Sequence, residues 1–176
     1  MDYIPVIETK RLKLVPLDID NINPDDCHQF EQITGQRLAN VILGENVDRE
    51  AGAAMKKSLQ NVIKSKIQDQ WYEEWQSVLI ILKDVNKVIG GICFQKNPEE
   101  YGAAQIYFMV QPEYRNNGYM TEALQSGIPW IFQNPDIAYL LAETARDNLP
   151  SRRVLEKTGL SIYKETPGNL FWEIEY

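Results

Sequence analysis

The chain has 176 residues, 44% hydrophobic and 24% charged, the make-up of one domain with its own core rather than of a fibre, a coil or a disordered tract. No apolar run approaches the ~20 residues of a membrane-crossing helix, and the acidic start Met1-Asp2-Tyr3-Ile4-Pro5 is unlike a secretory leader, so a cytoplasmic location with no membrane partner is expected. A net charge of −7 argues against a nucleic-acid partner, and Cys27 and Cys93 form neither a metal spacing nor a disulfide framework.

Arg11-Leu12-Lys13-Leu14-Val15-Pro16-Leu17 alternates polar and apolar side chains and predicts an edge strand closed by Pro16, which has no amide hydrogen to add to a ladder. Asn23-Pro24-Asp25-Asp26 supplies a cap, a proline at the first helical position and two acids at the positive end of the helix dipole. A helix follows from there to about Leu43, with Cys27, Phe30, Ile33 and Leu38 on its face. His28, the only histidine, lies beside that face in a surface or packing role, which leaves histidine catalysis and a histidine-rich metal site without support. Beyond Gly44-Glu45-Asn46-Val47-Asp48, a second helix carries Ala51, Met55, Leu59, Val62 and Ile63. Trp71 and Trp75 share a face if that region is helical, with Glu73 and Glu74 beside them; the pair either receives an amine or packs the helices onto the sheet.

Residues 77–83 and 88–94 read as strands of a meander joined by Asp84-Val85-Asn86-Lys87. Gly90-Gly91 within the second implies a bulge or another backbone at close quarters, either a splayed neighbouring strand or a ligand. Gln105-Ile106-Tyr107-Phe108-Met109-Val110 is aromatic and β-branched, and Pro112 stops it. Leu124, Ile128 and Ile131 then fall at helical spacing, so the loop before Gly118 opens a helix whose first amides have no partner within it. Gly118 lets a ligand approach the backbone, Arg115 adds a fixed charge, and the helix dipole favours an anion; together they predict a pyrophosphate seat. Pro129 predicts a kink in the later turns.

Residues 137–145 are apolar on both faces, the pattern of a central strand covered on both sides. Residues 148–159 form a helix with Pro150 early and Gly159 as its stop, and the remainder closes as a hairpin about Thr166-Pro167-Gly168-Asn169. Around that last helix Arg146, Arg152, Arg153 and Lys157 stand against Asp147 and Glu156, either a local home for an anion or an ordinary solvated face.

The run Arg115-Asn116-Asn117-Gly118-Tyr119-Met120 resembles the Arg/Gln-x-x-Gly-x-Gly/Ala pyrophosphate loop of the GNAT superfamily of N-acetyltransferases. The longer run Gly118-Tyr119-Met120-Thr121-Glu122-Ala123-Leu124 is similar to the branch containing the ribosomal-protein N-terminal (alanine/serine) acetyltransferases. Glu8-Thr9-Lys10-Arg11-Leu12-Lys13-Leu14 is similar to that branch's opening strand, and the segment from Asn148-Leu149-Pro150-Ser151 to Gly159-Leu160 to its second cofactor segment. Residues 21–76 match no motif, and Met120 stands where the family usually has Gly or Ala.

The resemblance implies a single acetyl-CoA-binding domain over residues 1–176, in a mixed α/β fold. Its splayed, mostly antiparallel central sheet has six to seven strands flanked by about four helices, the two early ones lining the acceptor's entrance. Acetyl-CoA is the co-substrate and no metal takes part. The expected acceptor is a primary amine, either a peptide N-terminus or a small molecule such as a polyamine or amino sugar, and the family's habits allow a homodimer. Cofactor contacts fall on the backbone of Phe108, Met109 and Val110, on Arg115, Asn116, Asn117, Gly118, Tyr119, Met120 and Thr121, and on Asn148 and Ser151.

An alkyl amine with a pKa near ~10 is mostly protonated at neutral pH, so a general base should assist. Glu143, five residues before Asn148, matches the place where some N-terminal acetyltransferases carry a catalytic glutamate; an apolar wall there would raise its pKa, whereas a bridge to Arg146 or Arg152 would make it structural. The tyrosine that many relatives place seven residues after the Asn is Leu155 here, which leaves Tyr107, Tyr114 and Tyr163 as substitutes for the acid. A thiolate with a parent pKa of about 8.5 departs tolerably without one. Leu155 and Met120 also admit a reading from another class, a CoA-binding sensor or interaction module without turnover.

Overall fold

A computed structural model describes residues 6–16, 75–96 and 101–175. The predicted helices beginning near Asn23 and Ala51, with Cys27, His28 and the rim from Trp71 to Glu74, lie outside these residues. Trp75 opens a strand, its backbone paired with that of Gln95, and so is not helical.

Among the described residues eight strands, rather than six or seven, form one sheet: β1 (Ile7–Glu8), β2 (Leu12–Pro16), β3 (Trp75–Leu82), β4 (Lys87–Lys96), β5 (Ala103–Val110), β6 (Tyr139–Ala145), β7 (Ser161–Glu165) and β8 (Asn169–Glu175). Their order across the sheet is β1-β2-β3-β4-β5-β6-β8-β7. The additional strand is the two-residue β1, folded back on β2 by a turn in which Thr9 N–H donates to Leu12 O (2.9 Å) and Leu12 N–H to Thr9 Oγ1 (2.9 Å). That hairpin takes the edge position expected of β2. Among the described residues two helices flank the sheet, α1 (Tyr119–Ile131) and α2 (Leu149–Lys157), with a 3-10 turn at Pro112–Tyr114, and none is long and apolar enough to cross a membrane.

From β2 to β5 each strand lies antiparallel beside the next, as the meander predicts. The register slips between Ile80 and Ile81, whose partners are Gly90 and Val88, so β4 carries an extra residue there. Gly90 is needed because β5 presses on it: a Cβ would stand 2.2 Å from Met109 O. A neighbouring strand, not a ligand, accounts for that glycine.

β5 and β6 run parallel, and their pairing is short. It covers Ala103↔Tyr139, Ala104↔Leu140 and Gln105↔Leu141 and then stops, although β5 stays paired with β4 up to Val110 and β6 with β8 up to Ala145. The sheet therefore splays beyond Gln105. α1 fills one face with Ala123, Leu124, Ile128 and Ile131 against Leu12, Leu14, Ile80, Ile92, Phe94 and Ile106, all buried. Pro129 sits in the last turn, where its missing amide removes one bond near the helix end, and Phe132 N–H still reaches Ile128 O (3.2 Å). β6 is central but not covered on both faces: Leu140 and Ala142 are buried while Glu143 is exposed. The predicted hairpin closes the chain, its Trp172 buried and donating from Nε1 to Thr144 Oγ1 (2.9 Å).

Candidate active site

The splay converts one backbone edge of β5 into the wall of a cleft. A space of about 650 Å3 opens between Phe108, Met109 and Val110, the loop and first turn leading into α1, and the start of α2. Gly118 begins α1 in the left-handed conformation (φ 76°, ψ 7°), and Asn116 takes a positive φ of 61° in the same loop. The first intrahelical bond runs from Glu122 N–H to Gly118 O (3.0 Å), so the amides of Tyr119, Met120 and Thr121 have no acceptor within the helix. Gly118 has no side chain to cap them, and all three residues line the cleft. Open donors and the helix dipole together favour an anion at this place.

Arg115 lines the same cleft and donates from Nε to Val110 O (3.0 Å), tying the loop to the end of β5. Asn116 lines it too. Asn117 does not: its Nδ2 donates to Tyr114 O (3.2 Å) and Arg115 O (2.9 Å), bracing the loop from outside. Met120 has its side chain among the core residues, 6% exposed, so the bulk that departs from the family pattern is turned away.

α2 supplies the opposite wall. Its N-cap Asn148 accepts from Ser151 N–H through Oδ1 (3.2 Å), and both residues line the cleft. Arg153 and Lys157, exposed and one turn apart, add positive charge to this wall. The motif does not single them out, although the local excess of basic residues around α2 points to them.

Neither Glu143, on β6, nor Tyr107, on β5, lines this cleft. Glu143 is exposed rather than set against an apolar wall, and its Oε1 accepts from Asn169 Nδ2 (2.5 Å). It bridges neither Arg146, which pairs with Glu165, nor Arg152, which donates to Arg146 O. Burial pushes the half-exposed Tyr107 phenol above its ordinary pKa, and the neighbouring Cys93 and Glu143 add to the rise, so it stays protonated at neutral pH. Leu155 is fully buried in the core. Of the other tyrosines, Tyr114 lines the cleft, whereas Tyr163 stands on β7, edge-on to Phe171. Among the described residues no group of three His, Cys, Asp or Glu is placed to hold a metal ion.

Residues 14–161 match the family model described as an acetyltransferase (GNAT) domain. The chain is 26% identical over 167 residues to the uncharacterized N-acetyltransferase YjdG of Bacillus subtilis (strain 168), covering 95% of this chain and 96% of that protein. A solved ribosomal-protein-S5-alanine acetyltransferase from Vibrio fischeri has a similar fold, with a TM-score of 0.66 at 14% identity over 97% of this chain and 96% of that one. A ribosomal L7/L12 alpha-N-protein acetyltransferase solved in complex with coenzyme A is similar with a TM-score of 0.61 at 18% identity, over 98% and 97% of the two chains.

Proposed function

The chain belongs to the GNAT acetyltransferases and is an acetyl-CoA-dependent N-acetyltransferase; we propose that its acceptor is a primary amine, a peptide N-terminus before a small-molecule amine. The observation that carries this is the open end of β5 lying beside the uncapped amides of α1. The residues present fit the coenzyme: three open amides with Arg115, Arg153 and Lys157 suit its phosphates, and the strand edge at Phe108, Met109 and Val110 suits an extended amide-bearing arm. When bound, the thioester supplies the activated acyl carbon. Tyr119, Met120 and Thr121 hold the diphosphate through their N–H groups, with Asn116 and Gly118 shaping the loop around it. Asn148 and Ser151 orient the arm from α2.

The acceptor enters from the face that carries Glu143 and Tyr107. Glu143, in water and held by Asn169, takes the ammonium proton directly or through solvent; as the C–N bond forms and the C–S bond breaks, protonated Tyr107 is the donor available to the departing thiolate and is reprotonated by the proton the attacking nitrogen sheds. The acidic chain, with its net charge of −7, attracts a cationic acceptor. The ribosomal-protein substrates named for the two similar solved structures make alanine- and serine-initiated peptides the first acceptors to try. Release of free thiol from acetyl-CoA over a panel of such peptides, polyamines and amino sugars tests the proposal. Turnover on a peptide N-terminus supports it, turnover only on small amines redirects it, and binding of CoA with no turnover on any amine gives the protein a sensor's role instead.

A further inference from the structure

The strand segment that resembles the family's opening strand contributes nothing to the cleft, yet its side chains converge on the back of the pyrophosphate loop. Arg11 donates from Nε to Glu122 Oε2 (2.7 Å), from its backbone N–H to Glu122 Oε1 (2.7 Å) and from Nη1 to Asn117 O (2.9 Å). Its guanidinium lies 4.4 Å from the centre of the Tyr119 ring. Thr9 Oγ1 adds a third bond to the Glu122 carboxylate (2.6 Å). None of Thr9, Arg11 and Glu122 lines the cleft. Thr9 and Arg11 are in turn fixed to the sheet, since Lys83 Nζ donates to Thr9 O (2.6 Å) and Lys83 N–H to Arg11 O (3.0 Å).

We infer that Arg11 is a positioning residue for acetyl-CoA, holding the loop from behind and neutralising Glu122. The inference rests on the reading of this loop as the diphosphate seat. Glu122 stands in the first turn of α1, where the helix dipole favours a carboxylate, but the same location puts its charge one turn from Gly118 and the phosphates. With Arg11 forked between the carboxylate and the Asn117 carbonyl, the loop keeps its shape and presents open amides without a competing anion. A lysine has one charged nitrogen and cannot reproduce the fork.

Calorimetry with coenzyme A on the full chain tests this, alongside amide hydrogen exchange of residues 117–122 in the ligand-free protein. Arg11→Ala should weaken CoA by about tenfold, the scale of losing charge-assisted bonds, and speed exchange in the loop while leaving β4 and β5 protected. Arg11→Lys should fall between it and the parent. Adding Glu122→Gln to Arg11→Ala should recover part of the lost affinity, about threefold, because the stranded carboxylate is gone; a residue that merely stabilised the fold would give a double variant weaker than either single one. Parent-like CoA affinity or parent-like loop exchange in folded Arg11→Ala overturns the inference, as does a double variant that binds no better than Arg11→Ala. Should Arg11→Ala fail to fold, Arg11→Lys alone and with Glu122→Gln carries the same comparison. Absence of heat between the parent chain and CoA defeats the functional reading instead, and the exchange measurement still decides what Arg11 does.

Discussion

Two helices begin at the same cleft and begin differently. α1 starts at Gly118, which brings no side chain, and three amides have no acceptor within the helix; α2 starts at Asn148, which lines the cleft and whose Oδ1 takes the Ser151 amide. An uncapped start of this kind favours a strong anion, and a capped one leaves fewer donors for it. A capped helix start has part of its donor set already satisfied, so its pull on a diphosphate is weaker.

Converting one start into the other is the severest test. Gly118→Asp adds a carboxylate, on a residue that tolerates the left-handed conformation, next to the first open amide, its Cβ 3.6 Å from Arg11 Nη2, so that it competes for the guanidinium bracing the loop as well as adding negative charge beside the seat. Affinity for CoA should fall by about a hundredfold or more in calorimetry, because like charges brought together cost several kcal/mol. The circular dichroism spectrum should be unchanged. A variant that retained parent affinity would show the diphosphate lying elsewhere.

A substitution touching neither helix start gives the control. Glu143→Gln should lower the acetylation rate by about tenfold or more, most strongly on the acid side where the amine is most protonated, with CoA affinity held. An unchanged pH–rate profile would remove Glu143 from the mechanism.

Asn148→Ala opens the α2 start to resemble α1 without the glycine geometry. Loss of the cap is worth about 1 kcal/mol, or roughly 2–4 °C in the melting temperature of a chain of this size. Thermal melts with and without acetyl-CoA read it, and the ligand-dependent shift should shrink less than in Gly118→Asp.

The smallest effect concerns acid. Burial raises the Glu122 carboxyl, but hydrogen bonds from Thr9 and Arg11 and the guanidinium charge outweigh it, leaving the pKa below the ordinary value of 4.5. A carboxyl depressed in the folded state contributes stability above its unfolded pKa and loses it as pH falls through the folded one. The melting temperature should therefore decline below the ordinary carboxylate range, and Glu122→Gln should flatten that acid limb while lying below the parent at neutral pH. An acid limb identical in slope would show Glu122 uncoupled from folding.

Much of this site was visible in the residues themselves. Pro112 after an aromatic and β-branched run, Gly118 before a helical repeat, and Asn148 two residues before Pro150 each act within a turn of the chain, and the structure puts a strand end and two helix starts there. The strand count exceeds the sequence pattern at β1 because two residues carry no periodicity, and Glu143 meets neither an apolar wall nor Arg146 or Arg152 because an apolar run does not say which face remains open. For Gly90 the sequence leaves two explanations open, a ligand or a strand, and Met109 O beside it selects the strand.

By itself the sequence determined where β5 ends and where α1 and α2 begin, since backbone preference, capping and side-chain alternation are settled among near neighbours. Only the tertiary structure decided where β5 and β6 part, and that Arg11 meets Glu122, 111 positions along the chain. Those contacts depend on how twist and core packing close distant segments on each other, and no local pattern encodes that closure.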